Sequence, residues 1–189
     1  KQLNAVYQGI FNDSAQSITG ILKQSGMKFD IDFQREYLDK IELIRPQEPK
    51  GEPDYLVREG FYNNKRSDFK IAYTVTYPKN ITKETPIIIL ASGSGPQDRD
   101  ETLLGHKPFW VIADYLTNQG NIVYRFDDRG TAKSQGIFSE ASLTDLATDV
   151  AMMVDLSQEE DWYDGNPISI AGHSEGGMHS LLATKMTKK

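Results

Sequence analysis

One short stretch carries residues whose types and spacing could do covalent chemistry: Gly172-His173-Ser174-Glu175-Gly176-Gly177. It follows the apolar run Ile168-Ser169-Ile170-Ala171 and precedes a segment with helical character. A serine at a strand-to-helix turn, flanked by glycines, is held in a strained backbone that lifts its hydroxyl clear of the sheet. Only glycine leaves room beside such a turn. The helix that follows directs its positive end at the same place and favours negative charge developing there. These residues point to Ser174 as a nucleophile.

A nucleophile of this kind needs backbone N–H donors for the oxyanion it creates, one just after the serine and one from an earlier loop. The Glu175 amide fits the first role. Ala91-Ser92-Gly93-Ser94-Gly95-Pro96 fits the second, with the Ser94 amide as the expected donor and Gly95 close behind. The stretch is not a nucleotide loop, because no third glycine and no Gly-Lys-Ser/Thr follows.

Other polar clusters have blander readings. Asp127-Asp128-Arg129-Gly130 reads as a loop whose charges cap neighbouring backbone. Gln97-Asp98-Arg99-Asp100-Glu101 with His106 reads as solvated surface; its carboxylates are consecutive and lack the glycine-turn loop of a cation site, so no metal is expected. His179 lies five residues beyond Ser174, which turns it away on a helix. The His173 side chain is expected to leave the turn on the side away from the serine. Acyl transfer by a serine requires no cofactor, and none is expected.

The elements that must position these groups follow from periodicity. Residues 6–11, 17–22 and 27–33 read as three β-strands, too few to close a core alone. Three prolines and several charges between Arg45 and Pro53 suggest an extended linker. The expected organisation is therefore residues 1–35 as strands of a β-rich accessory domain, 36–54 as a linker, and 55–189 as an α/β domain. In the last part, strands at 55–62, 69–77, 86–90, 121–126 and 167–171 alternate with helices starting near Pro108, after the N-cap Ser142, and at Ser174. That alternation implies a mostly parallel sheet with helices on both faces. In such sheets reactive groups gather past the carboxyl ends of the strands.

Composition narrows the function further. The 189 residues include 21 Lys and Arg against 27 Asp and Glu, a net charge of −6 that argues against a nucleic-acid partner. No cysteine is present, which removes disulfides and thiol nucleophiles. No apolar run reaches the length of a membrane span. The edge of the 167–171 strand would be open to another chain, so a homo-oligomer built through it is one expectation.

Taken together, Ser92–Glu101, Leu104–Phe109, Asp127–Gly130 and Gly172–Gly177 resemble a bacterial α/β-hydrolase family of esterase-like proteins, often described as serine aminopeptidase or feruloyl/acetyl-esterase-like. The resemblance is strongest over residues 45–185. It implies an α/β-hydrolase fold, here its N-terminal part preceded by a small β-rich segment. It also implies Ser174 as the nucleophile, the 93–95 loop at the oxyanion, and a small ester as substrate. The chain departs from the family at Thr131-Ala132, where a second glycine is usual. In this fold the triad acid and histidine follow the serine on later strands, so they are expected outside residues 1–189, and the chain alone is expected to be nearly inactive. An aminopeptidase-like hydrolase and a non-catalytic assembly module are the alternatives. A periplasmic or secreted location follows only from family habit.

Overall fold

The computed structural model describes residues 5–36, 44–63 and 66–187. They fall into two compact units, Lys1–Ile44 and Arg45–Lys189.

The first unit is a three-stranded antiparallel sheet of β1 (Ala5–Asn12), β2 (Ser17–Gln24) and β3 (Met27–Gln34), in that order. Ser25 and Gly26, both at positive φ, make the two-residue turn between β2 and β3. Gly9 lies opposite Gly20, which leaves a trough for the Tyr7 ring. That ring meets Phe33 edge-on at 5.3 Å and donates its hydroxyl to Ile31 O at 2.8 Å.

The second unit holds β4 (Leu56–Tyr62), β5 (Ile71–Tyr77), β6 (Ile87–Ala91), α1 (Pro108–Asn118), β7 (Ile122–Phe126), α2 (Leu143–Gln158), β8 (Ile168–Gly172) and α3 (Gly176–Met186), with a short 3-10 turn at Phe138–Glu140. The sheet order is β4-β5-β7-β6-β8. It is mixed: β4 with β5 and β5 with β7 pair antiparallel, whereas β7 with β6 and β6 with β8 pair parallel. β6 and β7 are almost wholly apolar because helices cover both of their faces. Ile122, Tyr124 and Phe126 of β7 join the core under α2 and α3, while Val123 packs with Phe109 and Ala113 of α1 on the opposite face.

Local signals start and stop the helices as expected. Pro108 opens α1, and Gly120 follows its end at φ 88°. Ser142 caps α2 reciprocally: its Oγ accepts from Asp145 N, and its own N–H donates to Asp145 Oδ2. The proline-rich stretch from Arg45 falls within this unit. Gln47 meets His106 across 3.4 Å, and Pro49, Lys50, Gly51 and Pro53 line a hollow together with Tyr55 and Trp110.

Candidate active site

β6 and β8 are adjacent and parallel, with Ala91 opposite Gly172 at their carboxyl ends. The two loops that continue them therefore leave the sheet side by side, and the His173 N–H donates to Ala91 O at 3.0 Å. Ser174 follows at φ 51°, a left-handed backbone that side-chained residues adopt only under constraint. The constraint is visible. A Cβ on Gly172 would stand 2.3 Å from the backbone of Gly176, and one on Gly176 would stand 2.3 Å from Ala91 O. The turn closes only because both positions lack that atom.

Ser174 is exposed and lines a cleft of about 300 Å³ together with Gly93, Ser94, Gln97, Glu101, Leu103, Pro108 and His173. The structure thus brings the serine and the 93–95 loop together. A Cβ on Gly93 would lie 3.4 Å from that of Ser174. Among the described residues, the Gly93 N–H is committed to Glu101 Oε1 at 2.8 Å, while the Ser94 and Glu175 amides enter no hydrogen bond of the fold.

Two expectations are corrected here. His173 does not leave on the far side of the turn: its ring lies over Gly93, in the same cleft, with Nδ1 2.7 Å from Glu101 Oε1. With Glu101 ionised, that nitrogen carries the hydrogen and donates it. Nor is the run from Gln97 to Glu101 solvated surface. Glu101 is buried, at φ 52°, and ties the Gly93 loop to the serine turn. Arg99 forms a two-pronged pair with Asp127 at 2.9 and 2.8 Å and also donates to Tyr73 O and Thr74 Oγ1. Asp100 pairs with Arg125 and Lys107. Asp98 Oδ1 accepts the amides of Asp100 and Thr102. Nothing in the immediate neighbours of Glu101 separates it from Asp98 or Asp100; the loop's return over Gly93 decides its role.

The Asp127–Arg129 loop continues β7 and is structural throughout. Burial pushes the Asp127 carboxyl up, but Arg99 and the Arg99 and Lys133 amides more than reverse that and hold it below the usual carboxylate range. Asp128 accepts from Ser92 Oγ at 2.9 Å and Gln97 N at 2.8 Å, at the two ends of the Gly93 loop. Burial pushes its carboxyl up to about 6. Arg129 reaches back to Asp149 of α2 through two bonds of 2.8 Å.

The sequence holds three histidines. His106 turns toward Gln47 and His173 toward Glu101. His179 is buried on α3 with Nε2 unpartnered among the described residues, and burial lowers its pKa. None of the three hydrogen-bonds to Ser174. No group of three or more His, Asp or Glu able to hold a metal occurs among the described residues.

The arrangement of parallel β7-β6-β8 between helices is shared with solved proteins. Est1E of Butyrivibrio proteoclasticus, with ferulic acid bound, superposes with a TM-score of 0.55 at 24% identity, over 67% of this chain and 47% of its own. An alpha-beta serine hydrolase homologue from Coxiella burnetii gives 0.51 at 21% identity, over 68% and 56%. The chain has the α/β-hydrolase fold. Within this fold, residues 109–189 match the family model for serine aminopeptidase, S33. Esterase EstD of Thermotoga maritima is 29% identical over 126 residues, which are 67% of this chain and 30% of that protein. The likeness to esterase-like α/β-hydrolases read from the sequence holds. The chain spans under a third of the curated relative and about half of each solved structure.

Proposed function

We propose that this α/β-hydrolase chain carries the nucleophile of a carboxylic-ester hydrolase. Ser174 Oγ attacks the ester carbonyl, and the alcohol leaves as the tetrahedral intermediate collapses to an acyl-enzyme that water then releases. The Ser94 and Glu175 amides hold the oxyanion. The observation that carries this reading is Ser174 itself, exposed at φ 51° in a cleft it shares with Ser94. An ester rather than a peptide is favoured by the relatives named for esterase activity and by the ferulic acid in Est1E. A peptidase would use the same machinery, and the serine aminopeptidase family model keeps that reading in view.

The general base in this proposal is a histidine other than His106, His173 and His179, since none of these bonds to Ser174. Loss of a triad member costs several orders of magnitude in rate. These 189 residues alone should therefore hydrolyse p-nitrophenyl acetate several orders of magnitude more slowly than a complete triad would. The native protein that contains them should turn it over, and Ser174→Ala should remove that turnover by a factor on the order of 10³ or more. Turnover that survives Ser174→Ala would sink the proposal. An aminoacyl p-nitroanilide assayed beside the ester separates peptidase from esterase.

A further inference from the structure

Beside the Ser174 cleft lies a second, larger hollow of about 390 Å³, walled by Leu103, Leu104, Pro108, Val111 and Ile112 and closed by Gln47, His106 and Lys107. The two share Leu103 and Pro108 in their linings, so they lie next to one another. The apolar walls are not core. Leu103 is 66% exposed, Leu104 83% and Ile112 41%.

Leu104 is the informative residue. It and Gly105 form a two-residue turn, at φ 50° and 77°, closed by paired hydrogen bonds of 3.0 and 2.9 Å between Leu103 and His106. The first position of such a turn favours asparagine, aspartate or glycine, and leucine there is strained. Burial does not account for the leucine, because the side chain projects into water. The turn is nonetheless braced from behind: the Arg45 guanidinium packs on Gly105, and Gln47 meets His106. A strained, braced turn that presents bare leucines at the rim of a reactive cleft has the character of a ligand contact.

We propose that this groove takes the apolar acyl chain of the ester, so that esters of medium-length aliphatic acids are preferred over acetates. The proposal rests on the ester-hydrolase reading, because shared walls with the Ser174 cleft identify the occupant. Burying one leucine-sized surface is worth roughly a factor of ten or more in affinity.

The test needs no turnover. The 189-residue chain, with labelled leucine, valine and isoleucine methyls and backbone amides, is titrated with octanoate and separately with acetate. Octanoate should shift the methyls of Leu103, Leu104, Val111 and Ile112 and bind about tenfold or more tighter than acetate. Leu104→Ser and Ile112→Ser should each remove most of that advantage and leave acetate binding unchanged. The Ser94 and Glu175 amides report the oxyanion reading in the same spectra. If they shift while the groove methyls stay still, the groove proposal is overturned and the ester reading survives. If the methyls shift and these amides do not, the groove stands as an apolar site and the oxyanion assignment falls. Methyl shifts that follow protein concentration without ligand would make the groove a self-contact and likewise overturn the proposal.

Discussion

Replacing Glu101 by Gln tests whether one buried carboxylate joins the two loops of the site. In the structure Glu101 Oε1 accepts from Gly93 N at 2.8 Å and from His173 Nδ1 at 2.7 Å. Hydrogen bonds to a charged group contribute about 1.5–3 kcal/mol each, against about 0.5–1.5 for neutral ones. Gln keeps an acceptor for Gly93 but loses the charge at both bonds. The His173 side chain is 64% exposed, so its share is screened, and the net loss should be about 1–2 kcal/mol. For a chain of this size that lowers Tm by roughly 2–8 °C. Both hydrogens meet the one oxygen, so Gln Oε1 in its place keeps both contacts in weaker, uncharged form. Thermal unfolding reads that loss, and an E101Q protein with native Tm would refute the reasoning. Glu101→Ala should be worse by about 1–3 kcal/mol, because the Gly93 amide is then buried without an acceptor.

Two further outcomes follow from the charges behind the site. Arg99→Met strands Asp127, whose side chain is 2% exposed, and should cost about 3–5 kcal/mol, read as a fall in the urea midpoint with unchanged slope. Asp128 titrates from an ordinary 3.8 to about 6 on folding, so the folded state keeps its proton where the unfolded chain gives it up. Stability from this group is full below about pH 4 and lost as pH rises through about 6, roughly 3 kcal/mol in all. Asp128→Asn should abolish that slope in urea titrations between pH 4 and 7, and a slope that persists assigns the effect elsewhere. Asp127 acts with the opposite sign: its lowered pKa supplies stability above about pH 4 that disappears as acid protonates it.

What could be read from the sequence was what a few neighbouring residues dictate. Gly172 is legible because its clash is with Gly176, four residues on, whereas the bareness of Gly176 answers to Ala91 O on the neighbouring strand as well. The Ser142 cap and the Pro108–Gly120 limits of α1 are legible for the same reason. The alternation of strands and helices was plain from period and length, but periodicity says nothing about direction. That β5 pairs antiparallel with β7, setting Tyr73 opposite Phe126, is a long-range pairing that no local pattern encodes. The polar part of the site was least legible. Arg99 meets Asp127 across 28 residues and His173 meets Glu101 across 72, and no local pattern tells a buried carboxylate from its exposed neighbour. The prolines of residues 46–53 were read as a linker because proline rules out helix and ladder; Pro49 and Pro53 line a hollow with Trp110 and Asp114 of α1.

The order of these ties explains why so much charge sits behind a small cleft. Where parallel strands end, their backbone groups lose ladder partners, and loops that must hold a fixed shape need other acceptors. Asp127 and Asp128, at the end of β7, supply them. One receives the Arg99 and Lys133 amides, and the other receives Ser92 Oγ and the Gln97 amide across the β6 loop. Glu101 then takes the next step from that loop to the serine turn on β8. Three adjacent strand ends are thereby linked by carboxylates, each buried and each satisfied by at least two donors. A fully satisfied polar network can hold a geometry that apolar packing alone leaves loose, and an unsatisfied one costs more than it contributes. Removing any one carboxylate should therefore disturb the Gly93 loop more than the loss of one bond suggests, and paired substitutions at Glu101 and Asp128 should be less than additive.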